Sequence, residues 1–95
     1  MVFDIPQIIG DKPHTVQSEK TRDLYFRNGL AFLVLHRNTI EIRCDKRLSQ
    51  VLREKYESVM ESRYFGQGGI EIVLAGQLSQ PEIEDLIRLS YTITQ

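Results

Sequence analysis

Apolar and polar residues alternate with two different periods along this chain, and each period predicts one kind of element. Residues 24–27, 30–37 and 39–44 are rich in aliphatic and aromatic residues and are separated by the stretches "RNG" and "HRN". Asn-Gly between two strand patterns is a strong hairpin signal because both residues tolerate positive φ. We therefore predict an antiparallel meander of three strands.

The period changes to that of a helix immediately after the third strand. Asp45 stands between the two patterns, where its carboxylate can accept backbone N–H groups of the first helical turn. Apolar residues then recur every three or four positions, which predicts one buried helical stripe. The predicted stripe comprises Leu48, Val51, Leu52, Tyr56 and Val59.

The second half repeats the alternation of strand and helix. "YFGQGG" predicts a loop, "IEIVLA" a fourth strand, and the segment from Ser79 a second helix, in which Ser79 and Glu82 have capping-box spacing. The stripe of this helix comprises Ile83, Leu86, Ile87 and Tyr91. The predicted fold is α+β, with an antiparallel sheet in the order β-β-β-α-β-α and two helices mainly on one face.

The chain has the length of one domain, residues 1–95. Pro6, Gly10 and Pro13 interrupt residues 1–23, so we expect a loosely ordered N-terminal arm followed by a core over residues 24–94. One cysteine allows no internal disulfide, which suits a reducing cytoplasm. The longest uninterrupted apolar run, residues 30–35, is too short to cross a membrane.

The second predicted strand, "LAFLVL", is apolar on both sides, so both of its faces should be covered. We expect Ala31, Leu33 and Leu35 to point away from the helices. Either the N-terminal arm or a second copy of the chain is then needed to cover them, and the second case predicts a homodimer.

Charge is distributed unevenly along the chain. Residues 20–63 carry ten of the twelve Lys and Arg residues against six acids, whereas the net charge of the whole chain is −1. This basic middle suggests a nucleic-acid or partner surface, but the interleaved acids are more typical of an ordinary solvated surface. The candidate contacts are Arg43, Arg47, Arg53, Lys55, Arg63, Tyr64 and Phe65.

Catalytic and metal-binding patterns are weak. His14, His36 and Cys44 lack the close spacing of zinc ligands, and we predict no metal and no cofactor. Cys44 is in phase with the strand before it and is expected in the core, with a reactive thiolate as the alternative. Glu41 and Glu71 are either paired carboxylates on one sheet face or, more typically, solvated acids. We therefore predict no catalytic residue.

A resemblance to a known family follows from two quoted stretches. "LYFRNGLAFLVLHRNTIEIRCDKRLSQVLREKY" and "GQLSQPEIEDLIRLSYTI" together resemble the MmcQ/YjbR family of small bacterial proteins over residues 24–94. The resemblance implies an α+β fold of the secretion-chaperone type. The family is labelled predicted DNA-binding, "double-wing". A looser similarity to a small luciferase-like domain covers the closing strand and helix, and neither likeness implies a site residue.

The sequence therefore favours a non-enzymatic cytoplasmic module that binds itself or another protein. DNA binding through the basic middle is the alternative, and an enzyme that uses Cys44 is the third possibility.

Overall fold

The protein is described here by a computed structural model covering residues 2–95, and it forms one six-stranded antiparallel sheet with three helices. The fold class is α+β, as predicted. Strand order across the sheet is β1-β2-β3-β4-β6-β5. The elements are α1 (Ile5–Ile8), β1 (Thr15–Ser18), β2 (Arg22–Arg27), β3 (Leu30–His36), β4 (Thr39–Arg43), α2 (Lys46–Lys55), β5 (Val59–Ser62), β6 (Gly66–Val73) and α3 (Gln80–Ile93).

The predicted hairpin turn and the predicted N-terminal caps of two helices are present in the structure. Asn28 and Gly29 join β2 to β3 with φ of 51° and 78°, as a tight hairpin of this kind requires. Asp45 Oδ1 accepts from the Leu48 amide at 2.9 Å at the start of α2. Ser79 closes the predicted capping box at α3. These features depend on residues within four positions of each other.

All three helices lie on one side of the sheet, which we call the helix face. α2 packs over β5 and β6, α3 packs over β3 and β4, and α1 contacts α3. Apolar side chains from both layers form one core and are fully buried at its centre. The central residues are Ile40, Ile42, Ile70, Ile72, Ile83 and Ile87. The opposite side, which carries no helix, is the helix-free face.

Helix α2 is shorter than predicted and its buried face is different. Tyr56 has an extended backbone that ends the helix after Lys55, and Val59 belongs to strand β5. Val51 is half exposed, whereas Ser49 is fully buried and donates to the Gly69 carbonyl at 2.9 Å. Part of the predicted "YFGQGG" loop belongs to β6, because residues 59–62 pair with that strand.

The N-terminal segment is tied to the helix face, not spread over the other face. Four apolar side chains of this segment are buried in the main core: Phe3, Ile5, Ile8 and Ile9. Tyr91 donates through its hydroxyl to the Pro13 carbonyl at 2.7 Å. Residues 15–18, predicted as part of a loose arm, instead form the edge strand β1, which pairs with β2.

None of the helices in residues 2–95 is long and apolar enough to cross a membrane.

The predicted dimer face is wrong, because Leu33 and Leu35 face the helices and a bulge in strand β3 separates Ala31 from them. Tyr25 lies opposite Leu33 and Phe26 lies opposite Ala31, so Phe32 is an extra residue in β3. Phe32 and Leu33 therefore both belong to the core on the helix face, together with the partly buried Leu35. Ala31 lies outside that core but is only 6% exposed. The three residues do not share a face, and they offer no apolar surface to a second copy.

Candidate functional site

Two carboxylates are buried on the helix-free face. Glu41 of β4 and Glu71 of β6 lie directly opposite each other in the sheet. They are 1% and 3% exposed, so the prediction of solvated acids is wrong. Like charges at opposite positions repel, and a buried charge needs partners. The hydrogen-bond donors around the two carboxylates therefore determine how both can be buried.

Glu41 binds the segment that follows β5. Its Oε1 accepts from the Ser62 hydroxyl at 2.8 Å and from the Tyr64 amide at 2.8 Å. Its Oε2 lies 2.5 Å from Nε2 of His36. Ser62 also accepts from the Phe65 amide at 2.8 Å. We call residues 62–65 the tip, and the Glu41 carboxylate is what anchors its backbone to the sheet.

Glu71 binds the side chain of Arg63 in the tip. Arg63 donates through Nε at 2.9 Å and through Nη2 at 2.7 Å to the two carboxylate oxygens, and Thr39 donates through Oγ1 at 2.8 Å. Burial alone raises the pKa of Glu71, but the hydrogen bonds from Arg63 and Thr39 and the nearby positive charge outweigh it. The net pKa of Glu71 is lowered. The carboxylate is therefore held in its charged form.

One side chain of strand β2 reaches the tip. The Arg22 guanidinium, from β2, lies 5.9 Å from the ring centre of Tyr64. Leu24 of β2 and Val34 of β3 are also buried, and neither belongs to the main core. The tip therefore lies over Glu41 on the helix-free face, whereas the N-terminal segment packs on the helix face.

Two aromatic rings and three arginines meet on this surface. The rings of Tyr64 and Phe65 have centres 5.0 Å apart in an edge-to-face arrangement. The Arg43 guanidinium lies 5.0 Å from the Phe65 ring centre, and its Nε donates to the Ala31 carbonyl at 3.0 Å. Tyr64 remains 44% exposed. We call this group the aromatic–arginine patch; it comprises Arg22, Arg43, Arg63, Tyr64 and Phe65.

The structure divides the predicted contact residues into two groups. Four of them are in the patch: Arg43, Arg63, Tyr64 and Phe65. The other three, Arg47, Arg53 and Lys55, are on α2, which packs on the helix face. Sequence analysis missed Arg22, because nothing in its neighbourhood predicted that β2 begins there. It missed the roles of His36, Ser62 and Thr39 because their partners are distant in sequence.

Three metal-type ligands converge beside the tip, and each of them already has a hydrogen-bond partner. Donor atoms of His36, Glu41 and Glu71 lie within 4.8 Å of one another, the one such group of metal-type ligands among residues 2–95. A cation would have to displace the guanidinium of Arg63 from Glu71. The Ser62 hydroxyl donates to Glu41 and not to His36, so the imidazole does not act on it as a base. The donor set is satisfied as an ion-pair network.

Cys44 is a core residue, which was the first of the two interpretations; the alternative was a reactive thiolate. It is 2% exposed. Burial, and then the charge of Asp45, raise the pKa of the thiol to about 11, although Arg53 opposes the shift. A thiol that keeps its proton is a poor nucleophile at neutral pH.

Comparisons with known proteins show the fold and nothing further. No protein-family model matches the chain, and no curated protein matches it. The crystal structure of a protein from Pseudomonas syringae, a Northeast Structural Genomics Consortium target, is similar with a TM-score of 0.77 and 20% sequence identity. The match covers 97% of this chain and 94% of that one.

Proposed function

We propose that this protein is a non-enzymatic binding module that takes single-stranded nucleic acid on the aromatic–arginine patch. The observation that carries the proposal is the half-exposed ring of Tyr64, which lies 5.9 Å from the Arg22 guanidinium and next to Phe65, on the surface that also carries Arg43 and Arg63. Proteins that bind single strands combine these two elements, because bases stack on aromatic rings while cations follow the phosphates.

A single strand suits the patch better than a duplex. Bases of a duplex are already stacked on each other, whereas an unpaired base has a free face for Tyr64. A protein partner is the weaker candidate, because Ala31 and Leu33 of the expected dimer face are buried within one chain and Leu35 is partly buried. The resemblance of residues 24–94 to the MmcQ/YjbR family, labelled predicted DNA-binding, supports the proposal, and we place the chain in that family as part of it. The unpaired Cys44 is compatible with a cytoplasmic location.

The test is fluorescence anisotropy with a labelled 12-nucleotide single strand of mixed sequence, as DNA and as RNA, over a range of salt concentrations. Three phosphate contacts predict a slope of log K against log salt of about −2, since each contact on a single strand contributes about −0.7. Tyr64→Ala should weaken binding by about 1–3 kcal/mol, the usual contribution of one stacked base.

Arg47→Ala is the matched control for charge, because Arg47 lies on α2 away from the patch. It should change the affinity far less than Arg63→Ala. Absence of binding at 20 mM salt, or equal effects of the two arginine variants, would refute the proposal.

A further inference from the structure

Arg63 differs from the other arginines of the patch in how its guanidinium is used. Its hydrogen bonds are made by Nε and Nη2, which together form one edge of the group. A guanidinium has five N–H donors, so the edge formed by Nη1 and the second hydrogen of Nη2 is left over. The side chain is 69% exposed. The remaining edge is the two-donor fork that matches two oxygens of a phosphate.

We infer that Glu71 is a positioning residue that fixes Arg63 so that this remaining edge receives a phosphate of the bound strand. The inference rests on the proposed function and names the group on the protein that recognises the phosphate next to the stacked base. Glu71 would act through Arg63 and would not contact the ligand itself.

The surroundings of Glu71 suit this role. Glu71 lies on β6, which has a neighbouring strand on each side, and its side chain is 5% exposed, so it does not move freely. Thr39 also donates to it, which restricts its rotation. If Arg63 left Glu71 to follow a phosphate, a buried carboxylate would lose its cation, and this is strongly unfavourable. Arg63 therefore binds a phosphate while it stays on Glu71.

The other two arginines are not held in this way. Arg22 pairs through Nε with Glu19, which is 36% exposed as a side chain. Arg43 donates to a neutral carbonyl and lies over Phe65. Only Arg63, among the arginines of the patch, is bound along a whole edge by a buried charge.

Positioning and simple electrostatics predict opposite results for one substitution. Glu71→Gln removes a negative charge near the bound strand, so long-range electrostatics alone predicts tighter binding. A glutamine side chain cannot accept both hydrogen bonds of the Arg63 edge, because its nitrogen is a donor. If Glu71 positions Arg63, the same substitution weakens binding. Glu61→Gln is the matched control, since Glu61 is an exposed residue of β5 with the same charge.

The experiment measures the dissociation constant and its salt slope for the wild type, Glu71→Gln, Glu61→Gln, Arg63→Ala and the double variant Glu71→Gln/Arg63→Ala. We expect Glu71→Gln to raise the dissociation constant roughly tenfold and to reduce the salt slope by about 0.7, as the loss of one charged contact predicts. Glu61→Gln should leave it unchanged or lower it slightly. In the Arg63→Ala background, Glu71→Gln should cause no further loss, because only the electrostatic gain from the removed charge remains.

Arg63→Lys extends the test without altering the buried residue. Lysine keeps the charge and can pair with Glu71, but it offers no second edge, so we expect a loss close to that of Arg63→Ala. Wild-type affinity in Arg63→Lys, or equal effects of Glu71→Gln and Glu61→Gln, would overturn the inference while leaving the proposed function intact. No binding by the wild type would instead overturn the proposed function.

Discussion

Gly69 lies where β6, β4 and the tip approach so closely that there is no room for a side chain. A Cβ added there would lie 2.5 Å from the Ile42 carbonyl oxygen, and 2.7 Å and 2.9 Å from Cβ and Cδ2 of Phe65. The contact with Ile42 involves backbone, and the Cβ of Phe65 cannot rotate away. Gly69→Ala must therefore move β4 or displace Phe65 and the tip.

The expected loss follows from those contacts. Forcing one extra carbon into a packed site costs about 1–3 kcal/mol, and for a domain of this size each kcal/mol lowers Tm by about 4–8 °C. A loss of about 2 kcal/mol therefore predicts a Tm lower by about 8–16 °C. Gly68→Ala is the matched control, because its added Cβ would meet only the Phe65 carbonyl oxygen at 3.4 Å. It should leave Tm unchanged or slightly higher, since alanine restricts the unfolded chain.

The assay is thermal unfolding by circular dichroism, combined with the single-strand titration. Gly69→Ala should also weaken binding, because it displaces one ring of the patch, whereas Gly68→Ala should not. Equal Tm values for the two alanine variants would refute the packing argument. A large loss of stability with unchanged binding would show that the position of Phe65 does not matter to the ligand.

Further predictions concern three other parts of the chain. Alkylation of Cys44 at pH 8 should be about 100-fold slower in the folded protein than in urea, because a pKa of about 11 against 9.0 lowers the thiolate fraction by that factor. As pH rises, the thiol of the unfolded chain ionises before that of the folded protein, so the contribution of Cys44 to stability should decline between pH 9 and 11. Parallel plots of unfolding free energy against pH for the wild type and Cys44→Ala in that range would contradict this. Ser79→Ala should cost about 1 kcal/mol in urea unfolding, while Ser79→Asp, which keeps an acceptor, should cost little. Deletion of residues 1–13 should abolish cooperative unfolding, since it removes four buried core side chains; a shortened chain with the wild-type Tm would refute that role.

The buried residues of α2 show what a periodic hydrophobic pattern cannot predict. Val51 fits the apolar stripe yet is half exposed, whereas Ser49 is fully buried. Ser49 is tolerated there because its hydroxyl donates to the Gly69 carbonyl, 20 positions away. A hydrophobic pattern cannot predict such a contact, because the acceptor belongs to a strand that comes later in the chain.

The candidate site could be predicted only in part, for the same reason. The basic and aromatic letters of the tip were visible, and four of the seven predicted contact residues meet in the patch. The two glutamates alternate with apolar residues, so they were interpreted as paired carboxylates on one sheet face or, more typically, as solvated acids. Glu41 is buried instead because Ser62 and Tyr64, which are 21 and 23 positions away, fold over it and donate to it.

Sequence alone determined the elements whose causes are local: the Asn-Gly hairpin, the caps at Asp45 and Ser79, and the alternation of strand and helix. Each depends on backbone preferences and on hydrogen bonds within a few residues. Tertiary structure decided which strands are neighbours, which side of β3 faces the core and how the tip is anchored. Those outcomes depend on side chains far apart in sequence, and only the packed sheet brings their atoms within hydrogen-bonding distance.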